Sequence, residues 1–204
     1  MPDSKYEPSS LVAVALANAF SLSSAIYISA NISGGHVNPA VTFGKLVGCH
    51  IPILTAVFYW IAQILGSIIA CLLLKVTTVD HNVMTHAIAE EMTGFGASIL
   101  ESVQTFGLVY TFYVANDPRQ GQMGSIGPIA MGLMAGANVL AAGPFSGGSM
   151  NPAYSFGAAV VAGSFKNQAV YWVGPLFGAA IAGLLYDNVA ISPQDSAQQE
   201  IIRV

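Results

Sequence analysis

The chain has 204 residues, of which 54% are hydrophobic and only 8% charged, with a net charge of −4. A soluble domain carries about 25% charged residues, so a packed water-soluble core does not account for this composition. No basic run is present, which argues against nucleic acid as a partner, and Cys49 and Cys71 form no zinc or redox spacing.

Residues 1–10, MPDSKYEPSS, are polar with mixed charge and lack the basic-then-apolar order of a signal peptide. Five apolar runs follow: Leu11–Ala30, Ile53–Leu74, Ala97–Ala115, Ser125–Ala142 and Gln168–Tyr186. Each approaches or exceeds the roughly 20 residues that a bilayer-spanning helix needs. An all-α, polytopic membrane protein is expected. Both cysteines sit in or beside apolar runs and read as small buried hydrophobes. The Lys75–Gly96 connection holds His81, His86, Glu90 and Glu91; Asn116–Gly124 is a turn-rich link. The tail over 189–204 is polar. Lys45, Arg119 and Arg203 stand against Lys5, Lys75 and Lys166 on the two sides, so basic residues decide no orientation.

Between the spans lie two copies of one segment. SGGHVNPAVTFG runs from Ser33 to Gly44, and SGGSMNPAYSFG from Ser146 to Gly157. The apolar stretches they open, Val37–Gly48 and Met150–Gly163, are too short to cross a bilayer. Short interrupted segments at matching places point to an inverted repeat with a midplane site. Asparagine is a favoured N-cap and proline a favoured first helical residue. Asn38-Pro39-Ala40 and Asn151-Pro152-Ala153 therefore read as two half-helix starts. Irregular backbone at membrane depth survives only inside protein or beside water. Each capping oxygen serves its helix, which leaves the amide NH2 to donate to a passing molecule. Two helix N-termini, each near half a positive charge, oppose cations and protons. The expected device is a pore for small neutral molecules.

These motifs resemble the aquaporin, or major intrinsic protein, family over Leu11 to about Asn188. FYWIAQ (Phe58–Gln63) and ANVLAAGPFSGGSMNPA (Ala137–Ala153) are similar to the plant tonoplast intrinsic proteins, and MTGFGAS (Met92–Ser98) and SFKNQAVYWVGPL (Ser164–Leu176) to a divergent subgroup of them. The resemblance implies a channel domain over 11–188, with repeat 1 over 11–75 and repeat 2 over 97–188. It implies a homo- or hetero-tetramer in the vacuolar membrane, with no cofactor and no metal. Water and small neutral solutes, urea or glycerol among them, would be the cargo. The family has six spanning helices; here five full helices plus two half-helices are expected, the first family helix being absent. That truncation leaves a second reading open, a non-conducting or regulatory subunit joining full-length relatives.

By resemblance, the filter falls on Asn18, Val139, Gly148 and Tyr154. Water-selective members carry Arg where Tyr154 stands. A Tyr pointing away gives a wider opening; one pointing inward narrows it. Glu101, in a Glu-x-x-x-Thr pattern with Thr105 at the opening of its span, would brace the Gly147–Tyr154 loop. A carboxylate inside a span is costly and has a partner or a task. His36 is expected to bond loop backbone or, by its protonation, to gate. His86 is expected in a solvated loop or, by resemblance, over the pore mouth. Cys71 matches a position that makes related channels mercury-sensitive. No nucleophile–base pair, metal set or phosphate loop suggests an enzyme.

Overall fold

The computed structural model describes residues 8–78, 83–118 and 126–190. Most of the polar N-terminal segment, His81, Arg119 and nearly all of the polar tail lie outside the described residues. Seven helices appear there: α1 Pro8–Ser33, α2 Pro39–Val47, α3 Ile53–Thr77, α4 Gly94–Ala115, α5 Gly127–Ala142, α6 Pro152–Ala162 and α7 Val170–Leu185, closed by a π-helical turn at Tyr186–Ala190. The half-helices begin at the two prolines. The spans differ from the expected runs mainly at their ends; α1 and α3 run three residues past each apolar run's C-terminal limit, where the Ser33 and Thr77 hydroxyls donate to carbonyls four residues earlier.

Only α1 and α3 are long and apolar enough to pass for membrane spans on length and composition alone. α4 is less apolar because its inward face carries Glu101, Gln104 and Thr105, all buried. Large apolar side chains such as Tyr27, Ile32, Phe58 and Val76 point outward. In water that would be costly; in a bilayer it is the lipid-facing surface.

The two halves repeat one order: α1-α2-α3 and α5-α6-α7, with α4 ahead of the second. They interlock. α3 packs on α6, α7 packs on α2, α1 lies along α5 and α4 along α7. Glycine permits the closest crossings. A Cβ on Gly157 would stand 2.1 Å from Ser67 Oγ, and one on Gly44 3.1 Å from the Ala179 carbonyl. Helices that meet through such small residues gain packing contact where burial from water supplies no drive. The result is a central region where the starts of α2 and α6 face each other.

Candidate pore and filter

Each half-helix is capped as its sequence dictates. The Asn38 Oδ1 accepts from Ala40 N at 2.8 Å, and the Asn151 Oδ1 from Ala153 N at 3.1 Å and Tyr154 N at 3.3 Å. The amide NH2 groups are not wholly free, which corrects the sequence reading. Asn38 Nδ2 donates to the Met150 carbonyl at 2.9 Å, and Asn151 Nδ2 to the Val37 carbonyl at 3.2 Å. Each NH2 has two hydrogens, and one of them ties the two halves together. Val37 and Met150 hold φ of 42° and 53°, a left-handed conformation rare for such residues. The strain turns each carbonyl toward the opposite asparagine.

Glu101 holds the second loop. It lies seven residues into α4 rather than at its opening, and is fully buried. Its Oε1 accepts from Ser146 Oγ at 2.6 Å and Ser149 N at 3.1 Å; its Oε2 accepts from Met150 N at 2.8 Å. Asn138 adds a contact to Met150 Sδ at 2.9 Å, and Tyr171 OH donates to the Ser146 carbonyl at 2.8 Å. Thr105, one turn after Glu101, is buried and its hydroxyl makes no hydrogen bond among the described residues.

Asn18, Val139, Gly148 and Tyr154 come from four separate elements and line one cavity of about 250 Å³. His86 lines it too, so this histidine sits at the cavity rather than in open solvent. Its ring meets Tyr154 edge-on at 4.7 Å between centroids, and lies against Gly147, where an added Cβ would stand 2.8 Å from it. Tyr154 lines the cavity as well and is 44% exposed. Asn18 spends one amide hydrogen on its own helix, donating to the Val14 carbonyl at 3.0 Å.

Two hydroxyls escaped sequence reasoning, although the repeat signals them: Thr42 and Ser155 occupy the same place two residues after each Asn-Pro-Ala. Ser149 Oγ donates to the Asn151 carbonyl, so the proton in its 2.5 Å contact with Ser155 belongs to Ser155. Ser155 then accepts from His86 Nδ1 at 3.2 Å. In the first half Thr42 donates to the Asn38 carbonyl and accepts from Gln63 Nε2 and His36 Nδ1. His36 thus bonds a side chain, not loop backbone as expected, and is wedged edge-on against Tyr59 and Phe112. That packing holds the ring beside the Asn38 loop. Cys49 is exposed and Cys71 half-buried on α3, so neither is the buried hydrophobe expected.

The Major intrinsic protein family matches residues 2–186. The chain belongs to the major intrinsic protein family. It is 60% identical over 188 residues to "Probable aquaporin TIP5-1" of Arabidopsis thaliana, covering 92% of this chain and 73% of that relative. It is 52% identical over 203 residues to "Aquaporin TIP2-3" of the same plant, covering 99% and 81%. The fold is similar to the X-ray structure of the aquaglyceroporin from Plasmodium falciparum, with a TM-score of 0.74 at 20% identity, covering 92% of this chain and 85% of that one. Family members are channels rather than enzymes, and the chain is an integral membrane protein.

Proposed function

We propose that this chain passes water and small neutral solutes along a path through the Asn18–Val139–Gly148–Tyr154 cavity and between Asn38 and Asn151. The observation that carries this reading is the crossed pair of asparagine bonds at the facing starts of α2 and α6. It leaves one amide hydrogen of each asparagine for a permeant oxygen, beside two positive helix ends that repel cations. The filter carries no fixed charge: an amide, an aliphatic wall, a backbone site and a phenol. Cation exclusion then rests on the half-helices. A neutral lining favours neutral solutes such as urea or glycerol beside water. The tonoplast is the membrane, in keeping with the tonoplast-type relatives, and the working unit is a tetramer with one path per subunit.

Proteoliposomes holding this chain, compared with empty vesicles in water and urea gradients, test the reading. Faster swelling in both is expected. Permeability equal to empty vesicles in both would remove the channel reading.

A further inference from the structure

The two repeated segments pair the same two positions with different chemistry. In SGGHVNPAVT, His36 Nδ1 meets Thr42 Oγ1 at 3.1 Å, six residues apart. In SGGSMNPAYS the matching positions hold Ser149 and Ser155, whose hydroxyls meet at 2.5 Å. A serine fills far less space than a histidine. The second half nevertheless carries an imidazole against its hydroxyl. It comes from His86, 69 residues away in the connection between α3 and α4, with Nδ1 at 3.2 Å from Ser155 Oγ. The ring that the second copy lacks in its own loop is thus supplied from elsewhere in the chain, and each half-helix hydroxyl meets a histidine Nδ1.

The surroundings of His86 form a socket. Tyr154 meets the ring edge-on, and Tyr171 lies tilted against it at 5.3 Å between centroids. Gly147 leaves the space that a Cβ would take, 2.8 Å from His86 Cδ2. Three residues further on, Ala89 N donates to the Phe145 carbonyl at 2.7 Å and fastens the connection to the second loop. These contacts fix where the ring sits but not which edge it turns. A half-turn of the imidazole exchanges Nδ1 with Cδ2 and leaves its shape nearly the same. The hydrogen bond to Ser155 decides the matter: Nδ1 faces α6, and Cδ2 faces Gly147. Since the Ser155 proton goes to Ser149, Nδ1 carries the proton of its bond.

We infer that Ser155 is a positioning residue that sets solute preference through His86: it pins the imidazole as a wall of the filter cavity, with the proton on Nδ1. The inference rests on the conduction path proposed above. Ser155 is fully buried and is not among the described residues that line the cavity, so it touches no permeant and acts through the ring. Ser149 contributes by taking the Ser155 proton, which leaves the Ser155 oxygen to accept. Without that acceptor the buried Nδ1–H loses its bond, and the ring is free to turn or swing away from α6. The cavity then opens on the His86 side, which favours solutes larger than water.

Ser155→Ala removes one oxygen and leaves the Ser149 hydroxyl its bond to the Asn151 carbonyl, so the loop keeps its anchor. Ser155→Thr restores a hydroxyl and is the residue that the first copy carries at this place. The full chain, labelled with 15N-histidine in phosphatidylcholine vesicles, reports the tautomer by NMR, with the His86 signals identified by their loss in His86→Ala. Wild type and Ser155→Thr are expected to show His86 protonated on Nδ1, and Ser155→Ala a mixture of tautomers. In the same vesicles the ratio of urea to water permeability should rise about threefold in Ser155→Ala, the worth of one modest hydrogen bond. His86→Ala should raise it at least as much, Ser155→Thr should restore it, and the double variant should match His86→Ala alone. A wild-type His86 protonated on Nε2, a tautomer indifferent to Ser155→Ala, or an equal rise from Ser155→Ala when His86 is already gone would each overturn the inference. The tautomer is read without flux. Vesicles that conduct nothing would remove the preference role together with the conduction reading, while the spectrum still decides the Ser155–His86 bond.

Discussion

Asn38 donates its side-chain amide to the carbonyl of Met150 at 2.9 Å, a bond between residues 112 positions apart. Asn151 returns the bond to Val37. Each asparagine thus caps its own half-helix and clamps the opposite loop, and the proposed path uses its second amide hydrogen. Asn38→Asp should separate these tasks. It keeps an oxygen to cap Ala40 N but loses the NH2 and adds negative charge between two positive helix ends. The expected result is a fall in water flux and a new cation or proton leak, read with a pH-sensitive dye in vesicles. Asn38→Ala loses the cap as well, costing about 1 kcal/mol more, and should lower the thermal midpoint in detergent. A tight, water-conducting Asn38→Asp variant would refute this division of roles.

The caps were legible because Asn, Pro and a following short apolar stretch are local signals. The half-helices start at the two prolines as read. The crossed bonds were not legible, because they depend on where two loops meet in space. Nor does a β-branched residue such as Val37 announce a positive φ; only its strained carbonyl, aimed at Asn151, explains it. Asn18, Val139, Gly148 and Tyr154 were named through family resemblance, and no spacing rule would have gathered them around one cavity. His86 was ambiguous in sequence since its loop has no periodic pattern; its place is decided by Ser155, Tyr154 and the bare face of Gly147.

Among the described residues Glu101 supplies the only acceptor for Ser149 N and Met150 N. Glu101→Leu should strand those donors together with the Ser146 hydroxyl, at about 1–3 kcal/mol for each buried group. Glu101→Gln retains one accepting oxygen and should be intermediate. Thermal midpoints in one detergent should fall in the order wild type, Gln, Leu. Flux should fall with them, since Met150 then no longer holds its carbonyl on Asn38. A Leu variant as stable as wild type would show that the loop stands without this brace.

Tyr154 lines the cavity that the proposed path crosses, with its ring edge-on to His86 at 4.7 Å between centroids. Tyr154→Arg puts fixed positive charge and several donors into a neutral lining. Urea flux should fall relative to water flux. Tyr154→Ala removes a large ring and should raise urea and glycerol flux relative to water. Both ratios come from stopped-flow swelling in paired gradients. Unchanged ratios in both variants would mean that Tyr154 does not line the path.

Gly178 and Gly66 occupy equivalent places on α7 and α3, yet only Gly178 touches another helix. A methyl group on Gly178 would stand 2.0 Å from the Ser102 carbonyl, a backbone atom that cannot swing away. Gly178→Ala should therefore force α4 off α7 and cost about 1–3 kcal/mol or more. Gly66→Ala meets open space in this chain and removes a flexible residue from a helix interior, which should be neutral or stabilising by up to about 1 kcal/mol. The two variants, unfolded side by side in the same detergent, should move the midpoint in different directions. Equal losses would mean that α3 is already packed as tightly as α7.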